Sequence, residues 1–186
     1  MDIEAVAARL KVFEGSTNYL YLCPAGKVTC GVGHVIQSLS EALAMPFLVG
    51  VSLANIQQIT NDYNNIRVAQ PGLVVTSYMP YTTIRLSDDY VETILEKDIA
   101  AFLGYLHLTW PNFDSFPEPA QEAAFDVAYN VGSKGLTTKF PHLVQAIDAG
   151  DWTTAAAQCH RTGIQESRNQ ETAALFLQAA QQTQGA

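Results

Sequence analysis

The residues that could carry out chemistry lie near the beginning of this 186-residue chain. Glu14 precedes Gly15 at the expected end of a helix, where the negative end of the helix dipole disfavours a second negative charge. Burial would act in the same direction, so both effects favour a carboxyl group that still holds its proton. A general acid needs such a group near neutral pH. Glu14 is therefore the first candidate catalytic residue.

Three further polar side chains follow Glu14 in the sequence. Cys23 and Thr29 flank a Pro-Ala-Gly-Lys turn, and we expect them on the same face of a hairpin, where the Thr29 hydroxyl can hold a water molecule. Cys23 and His34 suggest, as an alternative, a cysteine–histidine hydrolase such as an amidase. Such thiols generally owe their reactivity to a helix N-terminus, whereas Cys23 lies in a turn.

We expect neither a metal nor a cofactor. The remaining histidines, His107, His142 and His160, have no metal-ligand spacing. Gly31 and Gly33 follow a hairpin rather than introducing a helix, so they do not form a dinucleotide-binding loop. Instead, they permit a sharp turn or a close approach of the backbone.

The elements that must position these residues are a first helix and a hairpin. Apolar residues at helical spacing predict a helix over residues 3–13 that stops at Glu14-Gly15. Two short β-prone runs, residues 19–22 and 28–30, enclose the Pro/Gly turn and predict the hairpin.

The rest of the chain is expected to be mainly helical. Between the hairpin and the middle of the chain, Ser38 with Glu41 predicts a capping box that opens a short helix, which stops before Pro46. We also predict a helix over residues 53–66 and extended chain over 73–85. Ser87 caps a long helix with a strong apolar stripe. Further helices are predicted at about residues 120–131, 138–149, 152–161 and 165–181.

Length and pattern together predict one domain with two lobes. A chain of 186 residues fits a single globular domain of roughly 100–200 residues. The predicted class is α+β and mainly helical over residues 1–186. The hairpin lobe covers about 15–86, and the helical bundle lobe covers about 87–181 plus the N-terminal helix.

Charge, apolar runs and cysteine count exclude several partners. The net charge of −8 argues against nucleic acid and against adhesion to anionic membranes. No apolar run reaches the ~18–20 residues of a membrane span, and the first residues do not resemble a signal peptide, so we expect synthesis in the cytoplasm. The three cysteines, Cys23, Cys30 and Cys159, allow at most one disulfide.

Four segments, in order, resemble the phage-type lysozymes of glycoside hydrolase family 24. In that family, a helix-ending Glu-Gly precedes a hairpin of the form Tyr-x-Asp-x-x-Gly-x-x-Thr-x-Gly-x-Gly-His, which residues 21–34 match except at Cys23. Residues 86–99 are similar to the family's lobe-linking helix, 125–132 to its central helix and 168–176 to its C-terminal helix. The stretch 35–85 is longer than usual and matches poorly.

Cys23 departs from the family pattern, because the family has an aspartate there that supports attack on the anomeric carbon of the sugar. A thiol is ordinarily only a few per cent ionised at pH 7, so it is a weaker base than a carboxylate. Three outcomes stay open. An ionised Cys23 could act as base or nucleophile, the thiol could be a bystander while Thr29 and backbone groups hold the water, or activity could be lost.

The resemblance also implies roles for residues outside the hairpin. Arg168 occupies the position where an arginine meets the catalytic glutamate. Asn130 occupies a cleft position that contacts substrate sugar, although a helix C-cap is an equally simple role for it. His34 and Asp98 correspond to a structural ion pair.

The implied function is a peptidoglycan hydrolase that cleaves the β-1,4 bond between N-acetylmuramic acid and N-acetylglucosamine, with Glu14 as general acid and no cofactor. The alternatives are a weakly active or silent peptidoglycan-binding module and a Cys23-dependent cell-wall amidase. We expect a monomer that binds glycan strands in a groove between its lobes and does not insert into membranes. An immunity or delivery protein is a further candidate partner. After release or secretion, as a phage endolysin or an effector toxin, the enzyme would act in the periplasm or cell wall.

Overall fold

A computed structural model describes residues 1–185 and divides the chain into two compact units. One unit combines Met1–Phe13 with the chain from Ile99 onward, and the other is Glu14–Asp98. The sequence places the lobe boundary at about residues 86–87, at the start of a long helix. The structure divides the chain within that helix, after Asp98.

The Glu14–Asp98 unit contains a three-stranded antiparallel sheet in the order β1-β2-β3. In the first pair of strands, Tyr21 lies opposite Thr29, and in the second pair, Cys30 lies opposite His34. The predicted hairpin is thereby confirmed, and a short third strand extends it. The strands are β1 (Thr17–Leu22), β2 (Val28–Gly31) and β3 (His34–Val35).

The longer stretch after this sheet forms two short helices and a second, smaller hairpin. The Ser38 hydroxyl caps the first helix by accepting the Glu41 backbone N–H, as the sequence predicts. Asn55 and Gln58 form a reciprocal capping box at the start of the second helix. The elements are α2 (Leu39–Ala44), β4 (Leu48–Val49), β5 (Ser52–Leu53) and α3 (Ile56–Arg67).

The prediction of extended chain over residues 73–85 is wrong, because Val75–Tyr81 forms a 3₁₀ helix. Tyr78 is fully buried, and its hydroxyl donates a hydrogen bond to the Gln70 carbonyl at 2.7 Å. Burial of this aromatic ring outweighs the β-propensity of its neighbours, which is a weak and context-dependent preference.

Asp62 on α3 anchors the chain that follows the 3₁₀ helix. Its Oδ2 accepts hydrogen bonds from the Thr82 hydroxyl at 3.0 Å and from the Ile84 backbone N–H at 2.9 Å. The backbone N–H and hydroxyl of Thr83 donate to the same oxygen. The carboxylate therefore fixes the backbone that leads into the long helix α4 (Asp88–Thr109).

The other unit is helical, and α5 (Glu118–Val131) contributes nine buried residues to its core. Nine of its residues from Pro119 to Ala128 are buried, and it ends at Gly132, whose φ of +77° is unfavourable for other residues. The helix predicted at 138–149 begins at Pro141, because Pro141 disfavours a helical conformation at Phe140, and a further helix that the sequence did not predict covers Ser133–Lys139. The helices outside the stretch already described are α1 (Ile3–Glu14), α4 (Asp88–Thr109), α5 (Glu118–Val131), α6 (Ser133–Lys139), α7 (Pro141–Asp148), α8 (Trp152–Gln158) and α9 (Glu166–Gln184).

The predicted fold class, α+β and mainly helical with a small antiparallel sheet, is confirmed. The longest helices in residues 1–185 are α4, with 22 residues, and α9, with 19. Neither these nor any shorter helix of the described chain is both long and apolar enough to cross a bilayer.

Candidate active site

The turn between β1 and β2 positions Cys23. The Gly26 N–H donates to the Cys23 carbonyl at 2.8 Å, and the Cys23 N–H donates to the Lys27 carbonyl at 3.0 Å. Pro24 suits the first corner of such a turn, and Gly26 has a φ of +72°. This combination is typical of a three-residue hairpin loop with a bulge. Cys23 thus continues the ladder of β1 into the turn and is half-buried.

Glu14 is the last residue of α1, and its carboxyl group lies against the turn between β2 and β3. A Cβ atom added at Gly33 would lie 3.6 Å from Glu14 Oε2 and 3.8 Å from Cδ. Gly33 has a φ of +77°, a backbone conformation that favours glycine, while the added Cβ would be in ordinary van der Waals contact with Glu14. The Glu14 side chain is half-buried rather than extended into bulk solvent.

Thr29 is almost completely buried, with 1% of its surface exposed. Its hydroxyl donates a hydrogen bond to the Lys27 carbonyl at 2.9 Å. A hydroxyl that has given its proton to a carbonyl can still accept a hydrogen bond from a water molecule or a sugar hydroxyl. Thr29 therefore offers an acceptor, not a donor, to any ligand on its face of the hairpin.

The residue that sequence reasoning missed on this face is Tyr21. It lies directly opposite Thr29, and Cys23 follows it by two residues along the same extended chain. Side chains alternate between the two faces of a strand, so these three side chains share one face. Tyr21 is the first residue of the motif that residues 21–34 match, and the alternation of side chains along β1 is the signal that places it on the same face as Cys23.

His34 lies between two carboxylates. Its Nδ1 is 2.9 Å from Asp98 Oδ2, and its Nε2 is 3.5 Å from Glu41 Oε1. Burial by itself would lower the pKa of His34, but the hydrogen bond and charge of Asp98, with a contribution from Glu41, raise it above its ordinary value. The structure thus brings His34 and Asp98 together and adds Glu41, which the sequence did not indicate.

In the helical unit, Arg168 is fully buried and contacts Asp126. Its Nε and Nη2 lie 3.1 Å and 3.0 Å from Asp126 Oδ1. Its guanidinium also lies over the Phe13 ring, with Cζ 5.3 Å from the ring centroid. These contacts fix the orientation of the arginine within its own unit.

Asp126 and Arg161 complete a buried polar cluster that the sequence did not predict. Asp126 Oδ2 accepts from Arg161 Nη2 at 2.8 Å and from the Thr172 hydroxyl at 2.8 Å. Burial opposes ionisation of Asp126, but the charges of Arg161 and Arg168 outweigh it and hold the pKa of the carboxyl below its ordinary value. The signal in the sequence was an aspartate within an otherwise apolar helix, because such a charge must be paired.

Asn130 lies near the end of α5 and is half-buried. The residue that caps this helix is Gly132, whose N–H donates to the Ala128 carbonyl. The C-cap role that the sequence left open for Asn130 is therefore taken by glycine.

The other two cysteines are not suited to reaction. Burial raises the pKa of the Cys30 thiol to about 12 and that of Cys159 above its ordinary value. All three cysteines are free thiols. Within residues 1–185, no group of three or more histidine, cysteine, aspartate or glutamate side chains is arranged to hold a metal ion.

Comparison with known families agrees with this architecture. The family model for phage lysozyme matches residues 11–176, which include every candidate residue described above from Glu14 to Arg168. The chain therefore belongs to the phage lysozyme family, and peptidoglycan hydrolysis is the class of activity that this membership indicates. Among individual curated proteins, none matches significantly. The narrower assignment to glycoside hydrolase family 24 stays a prediction.

Proposed function

We propose that this protein cleaves the β-1,4 glycosidic bond between N-acetylmuramic acid and N-acetylglucosamine, with Glu14 as the general acid. The observation that carries this proposal is the half-buried Glu14 carboxyl, which lies against Gly33 in the hairpin that bears the family motif. Glycoside hydrolysis needs a carboxylic acid that protonates the leaving oxygen, and Glu14 is a carboxyl group of this hairpin face that can take that role.

In the proposed reaction, one water molecule is consumed. Its oxygen bonds to the anomeric carbon as the bond from that carbon to the leaving sugar oxygen breaks. The Glu14 proton passes to the leaving oxygen, and the proton lost by the attacking water passes to solvent. Glu14 then recovers a proton from solvent, so the net reaction is hydrolysis and requires no cofactor.

Cys23 and Thr29 are proposed to act on the water side of the bond. The Thr29 hydroxyl, committed as a donor to Lys27, can accept a hydrogen bond from the attacking water. Cys23 replaces the aspartate of the family pattern, and its free, half-buried thiol can serve as base or nucleophile only as a thiolate. Asn130 and Arg168 are proposed as substrate-binding and orienting residues.

The surroundings of His34 favour a glycosidase over a cysteine–histidine amidase. Both ring nitrogens face carboxylates, at 2.9 Å in Asp98 and 3.5 Å in Glu41, and the pKa of His34 is raised by these partners. Because both ring nitrogens already face carboxylates, neither is available as a base for activating Cys23. We propose peptidoglycan glycan strands as the substrate and a monomer as the active form.

Three variants assayed on purified sacculi test this proposal. Removing the general acid with Glu14→Gln should lower the release of reducing sugar ends by about 10²–10⁴-fold. Cys23→Asp should retain or raise the activity, and Cys23→Ala should match the parent if the thiol is a bystander. Free amino groups, measured in parallel, should stay constant.

Other results would point elsewhere. Release of free amines that disappears in Cys23→Ala would favour the amidase. A parent protein that binds sacculi but neither clears the suspension nor releases reducing ends would be a binding module. Full activity of Glu14→Gln would refute the assignment of the acid.

A further inference from the structure

The Tyr21 side chain combines a buried ring with an open hydroxyl group. Only 7% of the residue is exposed. Its hydroxyl makes no hydrogen bond to any residue in 1–185. In this range, Arg161 Nε is the only side-chain polar atom that is both fully enclosed and without a hydrogen-bond partner, so the Tyr21 hydroxyl is not fully enclosed. The Tyr21 hydroxyl therefore retains access to solvent. By contrast, the buried Tyr78 donates its proton to a backbone carbonyl.

The position of this hydroxyl relates it to the proposed catalytic face. Tyr21 lies directly opposite Thr29 and shares a face with Cys23. Directly opposed side chains in an antiparallel pair have Cβ atoms about 4.5–5.5 Å apart, so the side chains of Tyr21 and Thr29 are neighbours. Both hydroxyl groups therefore belong to the same face of the hairpin.

The electrostatic surroundings keep Tyr21 neutral. Burial raises the pKa of its phenol far above the ordinary value, and the nearby Glu14 and Cys23 raise it further. The hydroxyl consequently keeps its proton over the whole range in which a lysozyme works. It can donate one hydrogen bond and accept others, without serving as a base.

We propose that the Tyr21 hydroxyl holds the attacking water together with Thr29, in place of the aspartate that Cys23 replaces. This inference rests on the proposed glycosidase function. The water donates a hydrogen bond to the Thr29 hydroxyl, whose own proton is directed to the Lys27 carbonyl, and accepts a hydrogen bond from the Tyr21 hydroxyl. The water then has one hydrogen atom and one lone pair left. The lone pair attacks the anomeric carbon, and the hydrogen is lost to solvent as a proton.

The test is Tyr21→Phe, which removes one oxygen atom and keeps the buried ring. We expect kcat for sacculus hydrolysis to fall about tenfold, the effect of one hydrogen bond, with KM unchanged. The matched control is Tyr63→Phe, which changes another mostly buried tyrosine of the same unit and should leave kcat within twofold. Thermal unfolding of both variants reports any general loss of structure.

A double-mutant cycle separates water placement from a structural role. In a Cys23→Asp background, the restored carboxylate holds the water, so Tyr21→Phe should cost less than about threefold. Equal losses in both backgrounds, or no loss in the parent, would overturn the role of Tyr21 while leaving the glycosidase proposal intact. An inactive parent that releases no reducing ends would refute the glycosidase function itself, and this role with it.

Discussion

Replacing Asp126 with asparagine should strongly destabilise the protein. The carboxylate is 1% exposed and accepts hydrogen bonds from Arg161, Arg168 and Thr172 at 2.8–3.1 Å. Asparagine keeps the size but removes the charge that both guanidinium groups contact. Breaking a buried ion pair by removing one partner costs about 3–5 kcal/mol. For a chain of this length, that corresponds to a fall in Tm of about 6–20 °C.

Urea unfolding of Asp126→Asn at pH 7 measures this loss, with Asp114→Asn as the control. Asp114 also contacts a basic residue, His107, but the Asp114 side chain is 83% exposed. Its replacement should therefore change the unfolding free energy by less than about 0.5 kcal/mol. A loss below about 1 kcal/mol for Asp126→Asn would refute the argument that the cluster depends on this charge.

The pH dependence of the same variant provides a second readout. Because the folded-state pKa of Asp126 is below its ordinary value, its ionisation stabilises the folded protein above pH ~3.9, the value for an unfolded chain. This stabilisation is lost as pH falls through the lower, folded-state value. The acid-induced loss of stability should therefore be shallower in Asp126→Asn than in the parent.

Three further predictions concern the hairpin unit. His34→Asn should lower the unfolding free energy by about 2 kcal/mol at pH 5.5 but by much less at pH 8.5. The pKa of His34 is raised in the folded protein, so its protonation stabilises the fold below pH ~6.5, and this stabilisation is lost as pH rises through the folded-state pKa. Equal losses at both pH values would contradict this. Gly33→Ala and Gly50→Ala should each cost about 1–2 kcal/mol in unfolding free energy, since both glycines have positive φ. Only Gly33→Ala should lower sacculus hydrolysis, because only there does the added methyl group lie against Glu14; equal activities of the two variants would contradict this. Asp62→Asn should lower the unfolding free energy by about 1.5–3 kcal/mol, because it weakens four hydrogen bonds to one buried carboxylate oxygen. Thermal unfolding measures this loss, and an unchanged Tm would contradict it.

The hairpin and its neighbouring helix were predictable because their signals are local. Pro24 and Gly26 select one kind of turn, and Glu14-Gly15 ends a regular apolar repeat. The same local rules allowed the Ser38 cap to be predicted. Each of these features depends on residues within one turn of the chain, so no knowledge of distant partners is needed.

The stretch over residues 73–85 shows where local rules fail. Its β-branched residues favour extended chain, but the burial of Tyr78 and the bonds to Asp62 decide its conformation. Residue propensities within 73–85 do not indicate the hydrogen bonds to Gln70 and Asp62, because both partners lie outside this stretch.

The candidate site was only partly predictable for the same reason. Glu14, Thr29 and His34 stand out in a recognisable motif, whereas Asp126 and Arg161 are 35 positions apart in the chain and meet only in the fold. The apolar surroundings of Asp126 indicate that it needs a partner, but they do not say which of the ten basic residues supplies it. A role for Tyr21 in the site was not predicted, because a tyrosine in a strand is ordinarily a packing residue.

The most direct test of the account identifies the sugar at each newly formed chain end. Sacculi are digested with the parent protein and with Glu14→Gln, the new reducing ends are reduced with borohydride, and the products are identified by mass spectrometry. The account predicts reduced N-acetylmuramic acid from the parent and at least 100-fold less from Glu14→Gln, in keeping with loss of a general acid. Reduced N-acetylglucosamine, or equal product from both proteins, would contradict it.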